Sequence, residues 1–248
     1  MYTDFAFIYD RLMDDVPYES WARYYADLLA LNSVRRDGRC IECACGTGNL
    51  TIPLAKLGFR MTGMDISPDM LNIAQQKARD QGVMIPFIRM DMRSLAVQYP
   101  VDAVLATCDG PNYLLTDTDL LSFFQRAFSA LKPAGVLAFD VSTPYKLSKH
   151  LGDHFFSSSE DDLAYIWQGQ YSDKQRVLDI HLDIFSESGN GLYRRIQEDQ
   201  RQRAYTQDEL LTLLDQSGFT GIRIFGEQTM NSPEHDALRW HITACKGA

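Results

Sequence analysis

The stretch "CIECACGTGNLTIPLAKLG" over residues 40–58 limits this chain more than any other. An apolar run of strand length gives way to a turn carrying two glycines and then to helical periodicity. Glycine at such a junction lets the backbone take left-handed conformations and come close to a ligand. The alternation continues downstream. The apolar runs "RCIEC", "FRMTGM", "IPFIRM", "VDAVLAT" and "GVLAFDV" alternate with amphipathic segments, which is the mark of βαβ units and a parallel sheet. One helix is expected from Asn49 to Leu57, with Pro53 in a first turn whose N–H groups have no helical acceptor. A second opens on the Ser67-Pro68 cap and closes at Gly82, and a third covers residues 118–131, ended by "KPAG".

The pattern changes past Pro144. "LAYIWQGQY", "RVLDIHLDIF" and "LYRRIQEDQRQRAY" are strand-like, and Leu178, Ile180, Leu182 and Ile184 alternate with Asp179, His181 and Asp183. "SGNG" at 188–191 is a hairpin signal, and the mildly basic "YRRIQEDQRQR" reads as a solvated outer strand. Residues 144–203 are therefore expected to be an antiparallel β insertion on the substrate side of an α/β core made of residues 36–143 and 204–248. A capping box at Thr206 and Glu209 starts a helix that stops at Gly218, and strands "FTGIRIF" and "WHITAC" finish the chain. Residues 1–35 form a helical segment before the first strand. Its aromatic stripe, Tyr9, Tyr18, Trp21, Tyr24 and Tyr25, suits core packing or a lid.

Two familiar nucleotide readings lack their key residues. The dinucleotide fingerprint needs a third glycine where Thr51 stands, and no G-x-x-x-x-G-K-[ST] phosphate loop occurs. No metal is expected, because strand alternation turns Cys40 and Cys43 to opposite faces and no second Cys/His cluster completes a site with Cys45. Three acids remain at strand ends. Glu42 sits two residues before the loop, where it would repel a pyrophosphate and attract an ammonium or sulfonium. Asp65 ends the second strand, the position from which a carboxylate accepts ribose hydroxyls. Asp91 can accept from an adenine amine beside the Met92 N–H, with Ile66 and Met70 against the base. An adenosine with a cationic tail and no phosphates fits these positions, and S-adenosyl-L-methionine has that chemistry.

With these residues the chain resembles the class I S-adenosylmethionine-dependent methyltransferases. Their first motif, E/D-x-G-x-G-x-G, matches Glu42, Gly46 and Gly48, with Ala44 in place of the first glycine. "GMDIS" and "MDM" match the next two motifs, and "LKPAGVLAFDV" looks like the turn and fifth strand. "YDRLM" followed by "YESWARYY" is similar to small bacterial members in which a tyrosine and a tryptophan cover the cofactor. The resemblance implies a Rossmann-like, mostly parallel seven-stranded sheet ordered 3-2-1-4-5-7-6 with an antiparallel last strand. It also implies cofactor contacts at Tyr9, Trp21, Glu42, Ala44, Gly46, Gly48, Asn49, Asp65, Ile66, Ser67, Met70, Asp91, Met92 and Cys108.

The segment "TCDGPNYLL" after the fourth strand faces the reacting methyl in that architecture, so Asp109, Asn112 and Tyr113 are expected to position the acceptor. Methyl transfer is chiefly a matter of alignment, which supplies roughly 7–11 kcal/mol of such a barrier. The formal charge of −9 opposes a nucleic-acid partner and favours a small-molecule acceptor at N or O. The N-terminus lacks a signal-peptide pattern and no apolar run approaches membrane length, so a cytoplasmic setting is expected. Three alternatives stay open: an NAD-linked oxidoreductase, which needs the missing glycine; a non-catalytic cofactor-binding scaffold; and a methyltransferase acting on RNA or protein.

Overall fold

The computed structural model describes residues 3–247. Residues 1, 2 and 248, at the outer ends of the N-terminal and core segments, lie outside the described residues. Two helices lead, α1 (Thr3–Leu12) and α2 (Tyr18–Leu31). There follow β1 (Arg39–Cys43), α3 (Thr51–Lys56), β2 (Arg60–Asp65), α4 (Pro68–Asp80), β3 (Phe87–Arg89), β4 (Val101–Ala106), α5 (Asp117–Ala130) and β5 (Leu131–Ser142). After these come β6 (Phe155–Ser159), β7 (Leu163–Ser172), β8 (Val177–Gly189), β9 (Leu192–Arg203), α6 (Gln207–Gln216), β10 (Phe219–Phe225) and β11 (Arg239–Lys246).

The main sheet has seven strands in the order β10-β11-β5-β4-β1-β2-β3. Read from the other edge it is 3-2-1-4-5-11-10, the order implied by the resemblance. All neighbours pair in parallel except β11, which is antiparallel to both β5 and β10. The chain winds outward from β1 to β3, returns to β4 and winds the other way. Strand order therefore reverses between β1 and β4, which opens a crevice at their carboxyl ends.

Strand alternation divides the core into two layers. Val104, Ala106, Leu137 and Phe139 pack with Phe123 and Phe124 of α5 and Leu210 and Leu214 of α6. Ala103, Leu105, Val136 and Ala138 pack on the other side with Trp21, Tyr25, Leu28 and Leu29 of α2 and Leu54 of α3. Cys40 falls in the second layer and Cys43 in the first. Among the described residues no cluster of His, Cys, Asp or Glu could hold a metal.

The second sheet, β6-β7-β8-β9, is antiparallel. Asn190 and Gly191 both take positive φ at the β8–β9 hairpin, as a tight turn there requires. The capping box forms, with Thr206 Oγ1 accepting from the Glu209 N–H and Glu209 from the Thr206 N–H. Strand β6 ("FFSSS") is absent from the sequence expectation because its three serines break the apolar alternation. Helix α3 begins at Thr51 rather than Asn49, since Gly48 is still in the left-handed turn.

Helix α1 joins the two sheets. Phe5, Ala6 and Ile8 pack with Met70 of α4 and with Leu163, Leu182 and Ile184 of the second sheet. Arg11 donates to both carboxylate oxygens of Asp162, at 2.9 and 2.7 Å. No helix among the described residues is long and apolar enough to cross a membrane.

Candidate cofactor site

A cavity of about 320 Å³ lies over the carboxyl ends of β1, β2 and β4. Its floor is the loop after β1. Ala44, Gly46 and Gly48 all have positive φ, at 53°, 53° and 76°. A Cβ on Gly46 would meet nothing within 4 Å, so that backbone borders open space. A Cβ on Gly48 would lie 3.3 Å from Ala74 Cβ and 3.4 Å from Phe87 Cζ, so this glycine lets the loop pack against α4 and β3. Ala44 holds a conformation that glycine takes freely and that costs other residues roughly 1–2 kcal/mol.

Asp65 fixes the loop. One carboxylate oxygen accepts the Gly46 N–H at 2.9 Å and the other the Ser67 N–H at 2.8 Å. Burial raises its pKa, against the lowering effect of these N–H groups. A carboxylate has about four lone-pair sites, so two are left for a ligand. Ser67 also caps α4 by accepting the Met70 N–H at 3.3 Å. Glu42 is 2% exposed, and its oxygens accept from Thr51 Oγ1 and, at 2.6 Å, from Thr107 Oγ1. Burial pushes its carboxyl up to about 7, although both hydroxyls favour the ionised form. Asp91 caps the turn after β3 by accepting the Arg93 N–H, and the Arg93 side chain, which also reaches Asp119, holds the Asp91 carboxyl below its usual range.

The wall opposite the loop is aromatic and comes largely from α1 and α2. Phe5, Tyr9 and Tyr18 line it, with Tyr113 on the far side. Asp10 of α1 ties this wall to the floor, accepting from Thr47 Oγ1 at 2.5 Å, Asn49 Nδ2 at 2.9 Å and Lys77 Nζ at 2.6 Å. Cys108 and Met92 also line the cavity, as do Ile66, over half exposed, and the buried Met70.

Three residues expected here are elsewhere. Trp21 is turned into the core one helical turn past Tyr18, with the Arg239 guanidinium 4.9 Å from its ring centroid. Asp109, at φ 65°, directs its carboxylate inward to Arg239 and accepts from Ser142 Oγ at 2.8 Å. Asn112 is wholly buried, donating to the Ser142 and Arg203 carbonyls and accepting the Ser142 N–H. Neither side chain lines the cavity, and the polar atoms of both are engaged in holding the post-β4 loop. Of Asp109, Asn112 and Tyr113 only Tyr113 lines the cavity, and its hydroxyl donates to Gln200 Oε1 at 2.8 Å.

Sequence reasoning missed Asp10, Tyr18, Thr47 and Gln200. Tyr18 carried a signal, as a member of the aromatic stripe at the start of a helix after Pro17. Gln200 carried none, since it comes from a strand of the second sheet.

A parallel sheet whose strand order reverses above a glycine loop and a strand-end carboxylate defines a Rossmann-like cofactor-binding protein. Comparison with known proteins narrows this. A family model described as "Methyltransferase domain" matches residues 40–135. "Putative methyltransferase YqeM" of Bacillus subtilis is 34% identical over 99% of this chain and 97% of its own length. A relative named in the same way from Geobacillus is 34% identical over 99% of both chains. Among solved structures, an S-adenosylmethionine-dependent methyltransferase from Clostridium acetobutylicum is 29% identical, with a TM-score of 0.89 over 100% of this chain and 99% of that one. The sugar N-methyltransferase KedS8 from Streptoalloteichus, 17% identical with a TM-score of 0.77 over 98% of this chain and 92% of that one, shares the fold. The chain belongs to the S-adenosylmethionine-dependent methyltransferases, and its cofactor is S-adenosyl-L-methionine.

Proposed function

We propose that the enzyme methylates nitrogen or oxygen of a small molecule, and that the cavity over β1, β2 and β4 is where cofactor and acceptor meet. The single observation that carries this reading is the aromatic wall over the crevice. The cavity is walled on one side by Phe5 and Tyr9 of α1 and Tyr18 of α2 and bordered by Gln200 of the second sheet, a recess that suits a compact acceptor beside the cofactor. The net charge of −9 points the same way, since it disfavours a polyanionic substrate.

The residues suit the cofactor group by group. Asp65 takes the ribose hydroxyls on its remaining lone pairs. The Met92 N–H takes the adenine edge, beside Asp91, whose carboxylate is engaged by Arg93, with Ile66, Met70 and Met92 against its faces. Gly46 lets the backbone approach, while Ala44, Gly48, Asn49 and Ser67 hold the loop in shape. Glu42 lies at the floor toward the cationic end, and Cys108 borders the same region. When bound, the cofactor supplies an electrophilic methyl on a sulfonium. The faces of Tyr9 and Tyr18 stabilise that positive charge by about 0.5–2 kcal/mol. Tyr113, held by Gln200, orients the acceptor.

The test is to incubate the enzyme with S-adenosylmethionine and either a dialysable metabolite extract, total RNA or total protein, and to follow S-adenosylhomocysteine release. Turnover with the metabolite extract is expected. Turnover confined to RNA or protein would overturn the small-molecule assignment.

A further inference from the structure

The parallel strands of the main sheet are joined through helices, α3 between β1 and β2, α4 between β2 and β3, and α5 between β4 and β5. The crossover from β3 to β4 is different. Between Arg89 and Val101 it holds only a short turn, Met92–Ser94, followed by irregular chain. A parallel sheet is normally covered on both faces, so the outer part of this one, over β1, β2 and β3, lacks the helix that would complete its cover. Leu95 and Val97 of the crossover pack on the core, while Ile88 of β3 and Tyr99 are left exposed.

The gap is a cavity of about 690 Å³, larger than the cofactor cavity and within the range of small-molecule sites. It extends from Arg39 and Arg60, at the starts of β1 and β2, to Met64 and Met90 near the strand ends. From Arg60 to Met64 is about 13 Å at the rise of a strand. The walls between are apolar and include Met84, Ile88, Leu95 and Val97. Methionine is unbranched and polarizable, and it adapts to a flexible aliphatic guest.

Charge is confined to one end. Among the described residues Arg39 and Arg60 are the only charged side chains lining this cavity, in a chain of net charge −9. The cofactor cavity has the reverse character, being bordered by Glu42, Asp65, Asp91 and Asp119. Arg39 donates through Nη2 to the Pro100 carbonyl at 2.8 Å, and its guanidinium lies 5.9 Å from the Tyr99 ring centroid, so it is held in place but not neutralised. Arg60 is exposed, and its side chain bonds no acid among the described residues. A polar recess beside the groove shares both arginines. Its two acids are already engaged, Asp37 by Arg35 at 3.0 Å and Asp102 by Lys132 at 2.6 Å. Two guanidinium groups without a carboxylate therefore stand at the end of an apolar channel, and a guanidinium fork suits a carboxylate.

We propose that this groove binds a fatty-acid anion, with its carboxylate held by Arg39 and Arg60 and its alkyl chain lying along β2 toward Met64 and Met90. A neutral lipid leaves the arginines without a partner. A small inorganic anion leaves the apolar channel empty. Met90 lines both cavities, so the fatty-acid site adjoins the cofactor site without sharing its floor.

The experiment is calorimetric titration of the full chain with decanoate, in the free enzyme and in enzyme saturated with S-adenosylhomocysteine. Decan-1-ol, which lacks the charge, and acetate, which lacks the tail, serve as comparisons. Decanoate should bind in both states, and each comparison compound should bind at least about tenfold more weakly. Arg60→Glu should weaken decanoate by at least about tenfold while leaving affinity for S-adenosylhomocysteine and stability to urea unchanged, because Arg60 is exposed and holds no acid. Ile88→Thr, with both arginines intact, should weaken it by about threefold. Three results would each overturn the proposal: no binding of decanoate, equal binding to Arg60→Glu, or displacement of decanoate by S-adenosylhomocysteine, which would put the chain in the cofactor cavity. Retention of the enzyme on phosphatidylglycerol vesicles with no binding of free decanoate would assign the arginines to a membrane surface and overturn it as well.

Discussion

The loops after β1 and β4 lie on either side of the switch point and each is held by an acid from a neighbouring strand, Asp65 of β2 and Asp140 of β5, yet those acids act in opposite ways. After β1, Asp65 spends one lone pair of each oxygen on the loop and keeps the others toward the cavity. After β4, Cys108 and Asp109 have strained left-handed backbones, and both of their N–H groups are held by the wholly buried Asp140 at 2.9 Å. Arg239 from β11 joins Asp140 to Asp109, and Tyr25 donates to Asp140 at 2.6 Å. The first loop is shaped by glycine and left open to a ligand. The second is shaped by a buried ionic knot and closed to one. An acid beside a crevice is therefore a ligand group only if its oxygens are not already used by the protein.

The largest way to break this contrast is Arg239→Met. It leaves Asp109 and Asp140 buried without their cation, and urea denaturation should show a loss of about 3–5 kcal/mol. A loss below about 1 kcal/mol would mean that the knot does not hold the loop. Asp109→Ala should likewise reduce stability, because its carboxylate is engaged with Arg239 and not with the acceptor.

The two regions should also differ in the sign of their pH dependence. His241, beside the knot, is buried and pushed down to about 4, with its Nδ1 3.2 Å from the Tyr25 hydroxyl. A depressed folded-state pKa gives stability that is present above the ordinary imidazole range and lost as pH falls through about 4. Glu42, beneath the glycine loop, is pushed up to about 7, so its contribution is present below the ordinary carboxylate range and lost as pH rises through about 7. Each limb should amount to about 3 kcal/mol in the protein without cofactor. Stability measured against pH in Glu42→Gln should show a smaller neutral-side decline, the remainder belonging to Glu198, whose carboxyl burial also raises to about 7, and keep the acid-side one. An undiminished decline near neutrality in the variant would assign it wholly to other groups.

Asp65→Ala should weaken cofactor binding by more than about tenfold, or about 1.4 kcal/mol, through loss of both the ribose contact and the Gly46 anchor. Unchanged affinity would remove Asp65 from the site. The smallest effect is expected for Ala44→Gly, which relaxes a left-handed backbone and should stabilise by about 1 kcal/mol or less. Destabilisation there would show that the Ala44 methyl, which faces Gly110 across the loop junction, contributes packing that outweighs the strain.

Much of this architecture was legible because it is local. The βα alternation, the Ser67 cap and the Thr206–Glu209 box are each written within a few residues. The place of Asp65 at the cavity's edge was legible as well, since the end of a strand next to a glycine loop leaves a side chain few directions. What was not legible depends on distant partners. Asp109 and Asn112 look like loop residues free to meet a substrate until Arg239 and the Arg203 carbonyl arrive from far along the chain. The aromatic stripe of α2 does not show that Tyr18 ends at the cavity while Trp21 packs on Arg239 and His241. The segment "YRRIQEDQRQR" reads as a solvated strand because its composition is charged. Alternation nevertheless sends Glu198 and Gln200 inward, and only the neighbouring sheet reveals which face that is.

The most direct measurement is calorimetric titration of the purified enzyme with S-adenosylmethionine, S-adenosylhomocysteine and NAD, repeated with Asp65→Ala. Micromolar binding of the first two, none of NAD and a loss of more than about tenfold in the variant are predicted. Failure of the folded enzyme to bind either adenosyl compound, or equal binding in Asp65→Ala, would contradict the placement of the cofactor over the β1 loop.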